Sequence, residues 1–321
     1  MRFLRAIPGL FLCICITAAG TLPAKQKEPG RPIAWCYVRE RPLEVERKGL
    51  GRKTISVSLG RGTLAEVVRT DSGNGRARVL LRIVDLATLT PFDGWADSSQ
   101  AETFPLDRFP GDEEILRELR IEPPGSSPSS RAVVARWLLR QGRTGRALVC
   151  FVASAGMPIS QLAAFLPVAG KYKRATQLEF PFSEMKPGIV SGEVRDLLGD
   201  GNECLITHEP YRAGPLTVGL NMVIRRLEQG KFSTLWTASL VAQNLESFPP
   251  DTKILEPPEK NAGSPGTVTK AEVEFEPRGK IYIPVWKARV EFFAAGQDKP
   301  LASVSVTKAC GWNGSAFEPV R

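Results

Sequence analysis

Residues 195–207 read Arg195-Asp196-Leu197-Leu198-Gly199-Asp200-Gly201-Asn202-Glu203-Cys204-Leu205-Ile206-Thr207. An apolar pair is followed by a glycine-rich polar turn and then by a short apolar strand. The same order occurs earlier, where Arg136-Trp137-Leu138-Leu139 precedes a glycine-bounded turn and the strand at residues 147–153, ALVCFVA. Cys150 and Cys204 fall in these matching strands. Further along, Ala169-Gly170-Lys171-Tyr172 follows an apolar run at 162–166. Gln229-Gly230-Lys231-Phe232 follows another at 220–227, and Gly170 and Gly230 lie 60 positions apart. A partial third copy ends the chain, with Val304 to Val306, then Trp312-Asn313-Gly314 and Phe317. Each unit reads as a hairpin. Glycine takes the turn position that needs positive φ, and the aromatic after it packs inward on the returning strand.

The region before these repeats also reads as β. Short apolar segments at 33–39, 54–59, 63–69, 77–84 and 93–97 alternate with turns rich in Gly, Asn and Asp. Between the two regions, residues 112–120 (DEEILRELR) place acids first and basic residues last, with Ile115, Leu116 and Leu119 on one face. That is a short amphipathic helix aligned with its own dipole. The Pro/Ser-rich run at 123–128 then breaks regular structure as a linker.

Two resemblances follow from these motifs. Val38-Arg39, Gly60-Arg61-Gly62-Thr63 leading into Val67-Val68, and Gly94-Trp95-Ala96 resemble a bacterial Src-homology-3-like barrel over residues 33–104. That resemblance implies a wall-peptide binder or a spacer. The Gly-x-aromatic hairpins over residues 129–321 resemble blades of integrin-type FG-GAP/VCBS-like propellers. The fold class expected is therefore mainly β. It comprises a small barrel, then a propeller-like domain of about three antiparallel units, with one short helix in the connector. A closed propeller needs at least about four blades.

The propeller resemblance implies a calcium loop at residues 196–206. Asp196, Gly199, Asp200 and Gly201 fit it. Leu198 and Cys204 stand where the family carries oxygen ligands, and Glu203 sits one place early. Asp196 and Asp200 are the metal candidates. Ca²⁺ takes about six to eight oxygens, so with two ligands lost calcium is not expected, and neither is any other cofactor. The alternative reading is a turn that kept its shape.

The chain's other chemistry is sparse. Its single histidine, His208, lies four residues after Cys204. In a strand that spacing is about 13 Å, too far for a Cys–His dyad, and a loop or edge position is expected. Ser191-Gly192 lacks the glycine that a nucleophile elbow requires. Glu272, Glu274 and Glu276 alternate with Val273 and Phe275. That is the solvent face of a strand. Phosphate-loop and dinucleotide fingerprints are missing.

The amino terminus reads as an export signal. Arg2 and Arg5 precede the apolar run at 9–19 (GLFLCICITAA), and small residues follow to Ala24. Residues 1–24 are expected to be cleaved and 25–32 to form a leader. The run is too short for a permanent anchor, so no transmembrane segment is expected after cleavage. Removing the two arginines and no acids takes the net charge from +9 to +7. Cys36, Cys150, Cys204 and Cys310 remain, far apart and without a CxxC pair. An oxidising compartment permits disulfides among them; sequence does not choose a pairing, and buried free thiols are the alternative. No basic run is interleaved with aromatics, so nucleic acid is not an expected partner.

The function expected is a non-enzymatic, periplasmic or secreted envelope-binding or scaffold protein, with a cell-wall polymer or envelope protein as partner. A hydrolase using two carboxylates about 5–10 Å apart, with the barrel as targeting module, is the competing expectation.

Overall fold

The computed structural model describes residues 31–39, 42–48, 54–72, 77–121, 132–143, 145–154, 159–181, 188–212, 217–244, 266–293 and 299–320. The expected signal, most of the leader and the linker at 123–128 lie outside the described residues. The described chain is mainly β, in three antiparallel sheets with one short helix.

The first sheet has seven strands: β1 (Ala34–Val38), β2 (Leu43–Lys48), β3 (Thr54–Leu59), β4 (Leu64–Asp71), β5 (Arg78–Asp85), β6 (Thr90–Asp97) and β7 (Ala101–Phe104). Their order is β3-β2-β6-β5-β4-β1-β7, so the last strand returns beside the first. Period-two alternation sets the inner face. Val79, Leu81 and Ile83 of β5 are buried, together with Cys36, Val38, Val45 and Val67 from other strands. The sheet thus winds around a core of its own. The five apolar segments expected before residue 104 correspond to β1, β3, β4, β5 and β6. The strand β2 is an addition.

Helix α1 (Asp112–Glu118) occupies the expected amphipathic segment, with Ile115 buried and Asp112, Glu113 and Glu114 in its first turn. The second sheet, in order β11-β10-β9-β8, is built from β8 (Val133–Gln141), β9 (Gly145–Ala153), β10 (Ile159–Val168) and β11 (Lys171–Pro181). The uninterrupted apolar run of β9 explains its place. Strands covered on both faces lose the polar alternation. Leu148, Cys150 and Val152 meet Trp35, Phe109 and Ile115 on one side. Ala147, Val149 and Phe151 meet Val194, Leu205 and Leu227 on the other. The four-stranded sheet is the middle layer.

The third sheet is a sequential meander of eight strands: β12 (Ser191–Arg195), β13 (Cys204–Arg212), β14 (Thr217–Glu228), β15 (Lys231–Asn244), β16 (Gly266–Arg278), β17 (Ile281–Phe293), β18 (Ala302–Trp312) and β19 (Phe317–Pro319). It curls over Cys204, Ile206, Ile224, Trp236, Ile283, Cys310 and Phe317. The Tyr282 amide donates to the Leu197 carbonyl at 2.7 Å, which brings the β16–β17 turn back against the segment after β12. Among the described residues no sheet closes on itself by strand pairing. The residues expected to form about three repeat units are divided between sheets of four and eight strands.

The two Gly-x-aromatic hairpins match in detail. Ala169 and Gly170 have φ of 50° and 79°, and Gln229 and Gly230 have 50° and 77°. Two successive positive φ values suit the right-handed twist of a tight hairpin. Each hairpin also carries a register shift at the same offset before its turn, at Ala164/Phe165 and at Ile224/Arg225. Tyr172 and Phe232 pack against the cores on either side of the middle sheet.

Candidate functional site

The 196–203 loop is held by its own polar atoms. Asp196 accepts from the Gly199 amide at 2.8 Å through Oδ1 and from the Gly201 amide at 3.0 Å through Oδ2. Asp200 accepts from the Asn202 amide at 2.9 Å through Oδ1 and from Arg226 Nη2 at 2.6 Å through Oδ2. Every carboxylate oxygen of the two metal candidates therefore already accepts a hydrogen bond from the chain. Burial raises the Asp200 carboxyl, but the Asn202 amide and the Arg226 guanidinium outweigh it and hold the group below its ordinary value. Asn202 Oδ1 accepts from the Gly142 amide at 2.8 Å, tying this loop to the β8–β9 turn. Among the described residues no three His, Cys, Asp or Glu side chains gather as a metal site.

Glu203 turns away from the loop and into the junction of all three sheets. Its side chain is 1% exposed. Oε1 accepts from Arg61 Nη2 at 2.7 Å and from Arg140 Nη2 at 3.2 Å. Oε2 accepts from the Arg140 amide at 2.7 Å, and the Glu203 amide donates to the Arg140 carbonyl at 2.9 Å. Arg61 belongs to the turn before β4, Arg140 to β8, and Glu203 precedes β13. One buried carboxylate thus joins three layers, and burial is tolerated because it is fully hydrogen-bonded.

Glycines bring these backbones together. Thr63 closes the β3–β4 turn onto the Gly60 carbonyl through its amide at 3.2 Å and its hydroxyl at 2.7 Å. The Leu138 amide donates to the Gly62 carbonyl, and the Val194 amide to the Arg61 carbonyl, both at 2.8 Å. Trp137 Nε1 donates to the Gly192 carbonyl at 3.1 Å. A Cβ on Gly192 would lie 2.7 Å from the Trp137 ring.

His208 is not at a loop or an edge, as the sequence suggested. It sits in β13, opposite Ser191 of β12 and Met222 of β14. The β13 strand runs further than its short apolar start implied, and this carries the histidine into the sheet. Its Nδ1 lies 2.7 Å from Ser191 Oγ. Burial pushes the imidazole below its ordinary value, against the pull of Glu193 and Glu209. The unfolded histidine binds protons more readily than the folded one. The stability this residue contributes is thus present above about pH 6.5 and lost as pH falls through the lower folded value. Denaturation midpoints are expected to drop between about pH 7.5 and about pH 5, with His208→Gln flattening part of that slope.

Beside it, Arg225 donates to Thr207 Oγ1 at 3.0 Å and to Glu209 Oε2 at 3.0 Å, with its guanidinium over the Phe180 ring. Glu272 and Glu274 lie on the exposed face of β16, with Val273 and Phe275 turned to the core, as their alternation predicted, whereas Glu276 is half-buried. Glu274 is paired with Lys287 at 2.6 Å.

Cys36, Cys150, Cys204 and Cys310 are free thiols, all buried. Burial pushes Cys36, Cys150 and Cys204 up to about 12. Only thiolate reacts readily. N-ethylmaleimide is therefore expected to leave these three unlabelled in the folded protein and to label them once denaturant is added, as read by mass spectrometry.

The residues that sequence reasoning passed over are Arg61 and Arg140. The visible signals were a Gly-Arg-Gly turn and a lone acid directly before a buried strand. No helix among the described residues is long and apolar enough to cross a membrane. In comparisons with protein-family models, with curated proteins and with solved structures, nothing matches this chain.

Proposed function

We propose that this chain is an exported, non-enzymatic envelope protein, periplasmic or secreted, that binds or scaffolds a cell-wall polymer or another envelope component. In this reading residues 33–104 are the Src-homology-3-like barrel and residues 129–321 are degenerate propeller-like repeats. The return of β7 beside β1 around a single core supports the first part. The matched turns and register shifts of the two hairpins support the second.

The observation that carries the proposal is the Glu203 clasp. The loop that most resembles a ligand site spends Asp196 and Asp200 on its own amides and on Arg226, and Glu203 on joining three sheets. A rigid body of stacked sheets bearing net positive charge suits holding a partner in place. The test is retention of the full chain on isolated cell-wall sacculi across a salt series. Retention at high salt is the expected result. Release at moderate salt would reduce the interaction to non-specific charge. No retention at low salt would remove the wall polymer as partner.

A further inference from the structure

The junction holds more positive charge than its structure needs. Arg140 of β8 and Arg146 of β9 are directly opposite each other across the sheet. Side chains so placed have Cβ atoms about 5 Å apart, and like charges there are destabilising. Arg140 is compensated by Glu203, which Arg61 also uses. Arg146 has no such partner among the described residues. Its guanidinium lies over two rings instead, 5.3 Å from the Phe104 centroid and 5.8 Å from that of Tyr37. Arg108, also without an ion pair among the described residues, lies 5.9 Å from the same Phe104 centroid. Arg61 and Arg140 hold the buried carboxylate, and Arg146 and Arg108 add two further cations, the first opposite Arg140 and the second sharing the Phe104 ring with Arg146.

The acids placed nearby leave the excess standing. Glu102 is opposite Tyr37 on β7, and Asp107 is adjacent to Arg108 in the chain. Neither is within ion-pair distance of Arg108 or Arg146 among the described contacts. Tyr172 joins the same aromatic group, 5.6 Å from Phe109, which lies 5.5 Å from Phe104; burial raises its phenol, and Arg108 and Arg146 both pull it back. The cluster opens to solvent. Arg140 is 51% exposed, Arg108 is exposed, and Arg146 and Tyr172 are half-buried.

We propose that Arg108, Arg140 and Arg146, beside Phe104 and Tyr172, form a binding site for the oxyanion of an acidic sugar polymer. The proposal rests on the envelope-binding reading and names its ligand chemistry. Guanidinium forks match carboxylate and phosphate oxygens two at a time. The half-buried rings of Phe104 and Tyr172 next to them offer apolar surface and, from Tyr172, a hydroxyl donor to a sugar, while Tyr37 stays in the core. Carboxylate and phosphate polymers share this chemistry, so the source is decided by the probe.

The experiment is calorimetric titration of the full chain with an oligogalacturonate, with a phosphodiester-linked oligosaccharide, and with a neutral oligosaccharide of similar length. Binding of one or both anionic probes and not of the neutral one is expected. The Arg108→Gln/Arg146→Gln pair should weaken that binding about ten-fold or more. Lys299→Gln/Lys308→Gln, which removes the same charge at and before β18, where neither lysine is ion-paired among the described residues, should leave it nearly unchanged. Circular dichroism confirms that each variant is folded, and Arg146→Lys keeps the charge but loses the fork, so partial loss is expected there. The proposal is overturned if neither anionic probe binds, or if the distant pair weakens binding as much as the local one. Sacculi retention without oligomer binding overturns this site and leaves the envelope reading standing. Oligomer binding lost in the local pair, without sacculi retention, supports the site and removes the wall as its source.

Discussion

Glu203→Ala is expected to destabilise the protein by about 3 kcal/mol, and Glu203→Gln by less than half of that. The carboxylate is 1% exposed, whereas its partners Arg61 and Arg140 are 27% and 51% exposed. Removing one partner from a buried pair costs about 3–5 kcal/mol when the remaining charge stays dry. Here both guanidiniums can rehydrate, which places the expected cost at the low end. The Arg140 amide cannot turn away, because its residue is fixed in β8. It loses its acceptor at 2.7 Å and carries the desolvation penalty of an orphaned donor, about 1–3 kcal/mol. Glutamine keeps an oxygen for that amide, and its NH2 replaces the oxygen that accepted from Arg61 and Arg140, whose guanidiniums are exposed enough to turn to water. Arg61→Ala should cost less than either, because Arg140 still satisfies the carboxylate. Urea denaturation at pH 7 gives all three values. Equal costs for alanine and glutamine would show that charge, rather than the amide's acceptor, holds the junction.

The same residue shows what a sequence reading reaches. The alternation of Val79, Leu81 and Ile83, the uniform apolar run of β9 and the Gly170 and Gly230 turns are all local patterns. Each was legible because burial and positive φ leave direct marks on residue type. The strand β2 was missed because its sequence, LEVERK, is dominated by charge. Leu43 and Val45 are its two buried positions, and two points are too few to establish a period. The clasp was illegible for a different reason. Arg61 and Glu203 are 142 residues apart, and each alone looks like ordinary turn chemistry. Only the stacking of three sheets brings them together. Asp196 and Asp200 were legible as a loop-forming pair. That their oxygens face amides and Arg226 depended on where β14 passes, which no local pattern encodes. His208 was misplaced because the apolar start of its strand ends at Ile206, before the histidine. In the sheet, β13 continues through Pro210 to Arg212.

Gly62→Ala is expected to cost about 3–4 kcal/mol, from strain and from overpacking together. Gly62 has a φ of +84°, a conformation that an L side chain enters at a cost. A Cβ there would lie 2.5 Å from Val194 Cβ and closer still to Cγ2. Val194 cannot move aside, since it is fully buried in the core between the middle sheet and β13. Gly142→Ala separates the two contributions. That glycine has a φ of +65° with nothing within 4 Å of the added methyl, so only the backbone term of about 1 kcal/mol applies. Val194→Ala provides the converse. Alone it leaves a cavity and destabilises, but it also removes the methyls that the Gly62 variant would meet. The double variant should therefore cost less than the sum of the singles, with a coupling of about 1 kcal/mol or more. Strict additivity in denaturation measurements would mean that the turn before β4 does not seat against β12. The Glu203 clasp would then lack the backbone contact that aligns Arg61 with it.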